Sequence, residues 1–158
     1  MNHKGFTLIE TLIYLLLFAI LMGGIAAVAY LVLESAGRGQ SKVVMQEEGD
    51  FLLGKINWGL TGASNATVTP TTLTLSKFGF SNQLIFAASG TKLTLKQGAG
   101  LATNLNSDAV NLSGIVFTDI PALNGRPEGV SASATLTTLT PNGVTISQNF
   151  QTTKYLRK

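Results

Sequence analysis

The order of apolar and polar residues divides the chain into three parts. Between residues 11 and 33 no side chain carries a charge, and most are apolar. From residue 34 to about residue 60 apolar side chains recur at helical spacing, and beyond residue 61 they alternate with polar ones between turn residues. These periods predict one long N-terminal helix followed by a region of β-strands.

The first part is long enough to cross a membrane. Residues 6–33 would form a helix of about 42 Å at 1.5 Å per residue, against about 30 Å for the hydrocarbon core of a bilayer. Gly23 and Gly24 lie near its middle, where each lowers helix stability by about 1 kcal/mol relative to alanine. Two interpretations stay open for this pair: close packing of small residues against another helix, or a point at which the helix unwinds during assembly.

The second part continues the helix in an amphipathic form. One face carries Met45, Leu52, Ile56 and Leu60, at positions i, i+7, i+11 and i+15, and is predicted to pack against the following sheet. Phe51 and Leu53 flank this stripe, and the charged residues lie mostly on the other side: Glu47, Glu48, Asp50 and Lys55. Because glycines stand at positions 37, 39, 49, 54 and 59, this half needs tertiary contacts to be stable.

The third part predicts six strands, at residues 72–77, 83–88, 92–96, 110–118, 130–139 and 144–150. Ser89 and Gly90 would close one hairpin, and Pro141, Asn142 and Gly143 another, with Gly143 supplying a positive φ. Residues 99–108 and 122–129 are predicted to be loops, the second because Pro121 and Pro127 would disrupt a ladder. The expected fold class is α+β, a long N-terminal helix packed on an antiparallel β-sheet domain.

Composition limits the classes of function that the chain can have. The 158 residues fit one globular domain plus a membrane helix. The net charge is +3, but only 12% of residues are charged, and the eleven lysines and arginines are scattered. They form no basic stripe of the kind that phosphate binding requires, so the sequence gives no support for a DNA or cargo site. The absence of cysteine excludes disulfides and thiolate chemistry.

The sequence offers few residues that could form a catalytic or metal-binding site. The one histidine, His3, stands before the apolar run, so Ser-His-Asp, Cys-His and His-metal sites are excluded from the rest of the chain. Asp108, Asp119 and Glu128 would in principle meet around Ca²⁺, which takes oxygen ligands. There is no EF-hand spacing, and solvated loop acids are the simpler interpretation. No catalytic, cofactor-binding or metal-binding residue is predicted.

Residues 5–10, Gly-Phe-Thr-Leu-Ile-Glu, stand directly before the apolar run. They resemble the cleavage site and mature N-terminus of type IV prepilins. In an ordinary secretory signal the cut follows the apolar segment, whereas here it would precede that segment and remove only residues 1–5. The resemblance implies cleavage after Gly5 by prepilin peptidase and N-methylation of Phe6 by the same enzyme. A signal anchor that is never cut is the alternative.

Glu10 is the one charge at the edge of the apolar run. A charged side chain costs about 2.5–3.5 kcal/mol at the centre of an inserted helix, so such a residue is a functional candidate by default. The resemblance implies that its carboxylate pairs with the Phe6 amine of a neighbouring subunit and sets the axial register of a filament. The alternative is an interfacial acid whose side chain snorkels to lipid headgroups.

The C-terminal half carries a second resemblance, to minor pilins and to the J-type minor pseudopilins of type II secretion. Four segments follow one another in the order seen there: residues 83–86, 112–119, 127–136 and 150–157. Residues 46–57 of the helix also resemble theirs. Major pilins often have a proline near the middle of the stem, and this chain has none.

Together the resemblances imply a structural subunit of a type IV pilus-like filament, a minor pilin or pseudopilin that acts in pilus assembly, type II secretion or DNA uptake. The alternatives are a major pilin and, in another class, a membrane-anchored adhesin or binding module that does not polymerise. The expected domains are a leader at 1–5, a transmembrane helix at 6–33, its amphipathic continuation at 34–60 and an extracytoplasmic domain at 61–158.

The same resemblances imply partners and a location. The expected partners are prepilin peptidase, other pilin or pseudopilin subunits, an inner-membrane assembly platform and, before assembly, membrane lipid. The expected location is the cytoplasmic membrane, crossed once with the N-terminus inside, as Lys4 favours, and then a filament at the cell surface. No enzymatic activity is expected.

Overall fold

A computed structural model of the chain describes residues 7–77, 82–123 and 127–156. These residues contain one helix, α1 (Leu8–Leu60), and eight strands. The strands are β1 (Ala63–Val68), β2 (Thr72–Lys77), β3 (Leu84–Ser89), β4 (Lys92–Gln97), β5 (Thr103–Asn104), β6 (Asn111–Ile120), β7 (Gly129–Leu139) and β8 (Thr145–Tyr155). The chain divides into two compact units, Met1–Gly39 and Gln40–Lys158.

The strands form two antiparallel sheets in which sequence neighbours pair. The first has five strands in the order β1-β2-β3-β4-β5, and the second has three in the order β6-β7-β8. A helix followed by antiparallel sheets confirms the predicted α+β class, although the structure has two sheets where one was expected.

The predicted helix is confirmed as one element, α1, that passes through Gly23 and Gly24 without a break. A Cβ atom built at either glycine would meet nothing within 4 Å. Of the described residues, α1 is the one helix long and apolar enough to cross a membrane, and none of its most apolar stretch is buried inside the protein. This stretch therefore shows the exposed apolar surface that lipid or other apolar helices would cover.

In the second unit α1 buries one face against the sheets. The buried residues are Met45, Gly49, Leu52, Ile56, Gly59 and Leu60, which confirms the predicted stripe. Phe51, which was placed beside the stripe, is 47% exposed, and Glu47 and Asp50 are also exposed. Glu47 and Asp50 thus remain exposed to solvent, while the apolar side chains of the stripe pack in the core.

Two glycines of this face allow close approach of the sheets. A Cβ atom on Gly49 would lie 2.3 Å from the ring of Phe150 in β8, and one on Gly59 would lie 2.8 Å from the ring of Phe86 in β3. Both rings are buried. The glycines that weaken the isolated helix are therefore the positions where each sheet packs against it.

The predicted strands are confirmed with shifted ends. Residues 72–77 match β2, and the ends of β3 and β4 lie within one residue of the prediction. β8 continues to Tyr155, five residues further than predicted, because Gly129–Leu139 of β7 supply partners along its whole length. The last part of β8 is mostly polar and lacks the apolar alternation from which a strand is predicted.

Two strands were missed. β1 has the sequence Ala-Ser-Asn-Ala-Thr-Val, which lacks a clear apolar alternation. β5 lies inside residues 99–108, so the prediction of a loop there was wrong at Thr103 and Asn104. Both are edge strands, paired with β2 and β4 respectively. Because this pairing rather than the local sequence makes them strands, the sequence pattern does not predict them.

The two predicted hairpin turns are confirmed. Gly90 has φ 59° between β3 and β4, and Gly143 has φ 75° between β7 and β8. Glycine adopts this left-handed region without the steric cost that other residues meet. The other predicted loop, 122–129, lies partly outside the described residues, and Gly129 already belongs to β7.

The close approach at Gly49 makes a testable prediction. We expect Gly49→Ala to destabilise the second unit by about 1–3 kcal/mol, because the added methyl group overpacks a buried aromatic ring. Gly54→Ala is the matched control, since a Cβ atom there meets nothing within 4 Å. It should instead stabilise the helix by up to about 1 kcal/mol.

Both variants are measured by urea unfolding of the full chain in detergent, followed by circular dichroism. Adding Phe150→Leu to Gly49→Ala should recover part of the lost stability if the ring is the cause. An unchanged or raised unfolding midpoint for Gly49→Ala would contradict the packing described.

Candidate functional site

Of the three residues singled out at the N-terminus, the structure describes one. Gly5 and Phe6 lie outside the described residues. Glu10 lies in the first turn of α1 and its side chain is half-buried. The geometry of the site is therefore that of Glu10 and of the turn that holds it.

Thr7 caps the start of α1. Its carbonyl accepts the N–H groups of Glu10 at 3.1 Å and of Thr11 at 3.2 Å. Its hydroxyl Oγ1 also accepts the Glu10 N–H, at 3.4 Å. A threonine at the N-cap satisfies helix N–H groups that have no partner within the helix. This fixes Glu10 as the third residue of the first turn.

The carboxylate of Glu10 has one partner on its own helix. The hydroxyl of Tyr14 donates to Glu10 Oε1 at 3.4 Å, one turn further along. The amino-terminal end of a helix also favours a negative charge, because its free N–H groups carry partial positive charge. Tyr14 and the helix end thus hold the carboxylate near the first turn, without a full counter-charge.

No cation of the described residues reaches Glu10. The two ion pairs among the described residues lie elsewhere and join Arg38 to Glu34 and Lys92 to Asp108. A carboxylate beside a long apolar surface gains strongly from an opposite charge and loses when left unpaired. A counter-charge from outside the described residues would therefore stabilise it.

Sequence reasoning missed both Thr7 and Tyr14 as part of this site. The signal for the cap was present, because Thr7 and Glu10 have the spacing of a capping box, Ser/Thr-x-x-Glu. The signal for Tyr14 was its position four residues after Glu10, which places both side chains on one helix face. The cap was readable only once residue 7 was recognised as the helix start, whereas the Tyr14 spacing was readable from the predicted helix itself.

The acids considered for Ca²⁺ have other surroundings. Asp108 pairs with Lys92 at 2.7 Å, and the hydrogen bond and charge of that lysine lower the pKa of the Asp108 carboxyl. Asp119 faces Val130 across the β6–β7 ladder, and Glu128 precedes β7. Within the described part of the chain no three acids, histidines or cysteines come together as a metal site would require.

Comparison with known families identifies the N-terminal segment. Residues 1–26 match the family model described as the prokaryotic N-terminal methylation motif, which supports the resemblance to type IV prepilins and pseudopilins. No curated protein and no solved structure matches the chain. The motif supports a type IV pilin-like precursor, and the apolar helix behind it supports anchoring in a membrane.

The cap at Thr7 can be tested by hydrogen exchange. We expect Thr7→Val to speed exchange of the first-turn amides of α1 by about twofold to thirtyfold, because losing a cap costs about 0.5–2 kcal/mol. Thr7→Ser keeps the acceptor and should exchange like the natural chain. The measurement uses the full chain in detergent micelles, with the amides of the second unit as an internal reference. Equal exchange rates in the two variants would contradict the cap.

Proposed function

We propose that this chain is a filament subunit that is made as a membrane-anchored precursor, cut after Gly5 and N-methylated at Phe6. The observation that carries the proposal is the methylation motif at residues 1–26 joined without interruption to the apolar part of α1. The peptidase removes residues 1–5 and leaves the apolar helix in the mature subunit. That helix then serves first as the anchor and later as the contact between subunits.

Glu10 gives the subunit a reason to leave the lipid. In the membrane its carboxylate has Tyr14 and the helix end as partners among the described residues, and lipid supplies no counter-charge within the hydrocarbon core. In a filament the amine of a neighbouring Phe6 supplies one. Pairing of two charges in apolar surroundings depends strongly on distance, so this contact also fixes how far one stem is shifted along the next.

The proposed role is that of a minor pilin or pseudopilin. The order of the C-terminal segments supports it, as does a stem without proline. The paths open to such a subunit are pilus assembly, type II secretion and DNA uptake. A major pilin is the second candidate, since it would use the same methylation motif and apolar helix. A non-polymerising anchored adhesin is the candidate of another class, and it gives no use for Glu10.

Topology and partners follow from the same proposal. The subunit crosses the cytoplasmic membrane once, at residues 6–33, with its N-terminus inside and the domain at 61–158 outside. Prepilin peptidase processes it, and an inner-membrane assembly platform and other pilin or pseudopilin subunits receive it. The prepilin-type motif points to a structural subunit, so the proposed role has no catalytic residue.

The role of Glu10 makes a prediction about charge. We expect Glu10→Gln and Glu10→Ala to be cleaved normally but to enter filaments at least about tenfold less, because an amide or a methyl group cannot pair with an ammonium group. Glu10→Gln still offers Tyr14 an acceptor, so it separates the charge from the local hydrogen bond. Tyr14→Phe is the matched control and should assemble nearly as the natural chain does.

The assay compares sheared filaments with membranes by quantitative immunoblotting. Normal incorporation of Glu10→Gln would show that the charge is not needed. A cleavage defect in either variant would place Glu10 in recognition by the peptidase instead.

The processing itself is tested by quantitative peptide mass spectrometry on sheared filaments. We expect an N-terminal peptide that begins with N-methylated Phe6, at low abundance relative to another pilin. A dominant signal would make the chain a major pilin. If the chain is absent from filaments and residues 1–5 remain attached in membranes, the pilin proposal fails and the anchored-module candidate replaces it.

A further inference from the structure

The outer edge of the three-stranded sheet is a long strand with no neighbour. β8 has eleven residues and pairs only with β7 in the described structure. Its register against β7 runs from Thr145 to Tyr155 without a shift. We propose that this edge is a docking site for an extended, largely uncharged segment of another protein, which adds to the sheet as a fourth strand.

The ladder between β7 and β8 shows which backbone groups of β8 remain open. Leu156 donates its N–H to the Glu128 carbonyl at 2.7 Å, and Thr140 donates to the Val144 carbonyl at 2.9 Å. Both pairs continue the register of the ladder. Hydrogen-bonded and non-hydrogen-bonded pairs alternate in an antiparallel ladder. The even-numbered residues of β8 therefore bond to β7, and the odd-numbered ones direct N–H and C=O away from it.

These outward-directed groups are free to accept a strand. Ser147, Asn149, Gln151 and Thr153 are exposed, and no described residue hydrogen-bonds to their main chain. Their side chains do not cover the edge either, since two of them bond back to β7: Asn149 Nδ2 donates to Thr135 Oγ1 and Thr153 Oγ1 donates to Ser131 Oγ, each at 3.2 Å.

The usual protections of an edge strand are missing from β8. Proteins blunt such edges with short strands, bulges, prolines, charges or a covering segment. β8 is long and regular, contains no proline, and carries one charge, Lys154. α1 contacts its inner face, through Gln148, Phe150 and Thr152, rather than its edge.

The other three sheet edges are protected within the described structure. The outer edge of β6 is covered, because Leu112 donates its N–H to the Thr91 carbonyl and Phe117 donates to the Pro70 carbonyl. β5 has two residues, and the pairing of β1 is irregular between Ala63 and Asn65. Among these edges only β8 keeps a long row of main-chain N–H and C=O groups without a partner in the described structure. The unpaired edge is therefore specific to β8.

A second copy of β8 is a poor occupant of this edge. Parallel pairing of this edge with itself requires a half-turn about the strand direction, so residues 40–60 of α1 in the two copies would lie on opposite faces of the joined sheet. Antiparallel pairing would make residues 40–60 of the two helices run in opposite directions, since α1 and β8 run the same way: Gln46 meets Gln148, and Asn57 meets Thr152. Subunits of one filament share a single polarity, and this step rests on the proposed function.

The chemistry of the edge describes the occupant. Main-chain hydrogen bonds recognise any extended polypeptide, and the side chains that alternate along it give specificity. The outward side chains of β8 are Thr145, Ser147, Asn149, Gln151, Thr153 and Tyr155, all uncharged. An uncharged partner strand with one carboxylate opposite Lys154 would therefore fit best.

The test measures peptide binding to the full chain in detergent micelles, by fluorescence anisotropy. The first probe is a labelled eleven-residue peptide that copies Gly129–Leu139, the sequence that pairs with β8 on its other side. The second is the same peptide with aspartate in place of its second residue, which would lie opposite Lys154. We expect saturable binding of both, and about twofold tighter binding of the second at low salt.

Two substitutions at one position provide the matched controls. Gln151→Pro removes an N–H that points to the open edge and leaves the β7–β8 ladder intact. It should weaken peptide binding by about tenfold or more. Gln151→Ser keeps that N–H and should change binding less than about twofold.

Hydrogen exchange on the unsubstituted chain gives an independent readout. Bound peptide should slow exchange of the amides at residues 147, 149, 151 and 153, with smaller changes at their even-numbered neighbours. No saturable binding of either probe, or equal binding by Gln151→Pro, would overturn the proposal. Self-association of the chain that Gln151→Pro abolishes would replace the foreign strand with a second copy. All these readouts use unassembled chain, so they are independent of whether filaments form.

Discussion

The contact between one face of α1 and both sheets is the interaction on which the second unit depends. The sheets share no strand pairing with each other; they meet through hydrogen bonds from Leu112 and Phe117 of β6 to Thr91 and Pro70, and through a helix face that touches both. Residues 45–60 of α1 do this: Gly49 lies against Phe150 of the three-stranded sheet and Gly59 against Phe86 of the five-stranded one. A helix that is poor on propensity alone becomes stable because the sheets bury it, and its buried face adds to the contacts that join the two sheets.

The N-terminal unit follows a different constraint, which is the absence of a protein core. Its apolar side chains have no partners among the described residues and depend on lipid or on other apolar helices. The candidate functional group lies in the first turn, where Thr7 caps the helix and Glu10 holds its carboxylate near Tyr14. In the proposed filament one acid is sufficient there, because a charge left unpaired in apolar surroundings is strongly destabilising.

How far the sequence could predict the structure depended on whether the signal was local. The helix, the stripe from Met45 to Leu60 and the turns at Gly90 and Gly143 were predicted correctly, because periodicity and positive φ are properties of neighbouring residues. β1 and β5 were missed, and β8 was predicted too short, because their polar residues pair with strands whose positions are set by the whole fold. The cap at Thr7 was readable in principle, but it depended on knowing where the helix begins.

The sequence by itself determined the membrane-length helix, the α+β class and the prepilin-type start, since charge, hydropathy and a short motif act over a few neighbouring residues. Only the tertiary structure decided that there are two sheets, that Gly49 and Gly59 are close contacts rather than weak points, and that Asn106 is buried. The last is an amide at 4% exposure, bonded to Leu93, Thr91 and Val110. The open edge of β8 belongs to the same group. The physical reason is that contacts between residues far apart in the chain depend on how whole elements pack, and no local pattern records that packing.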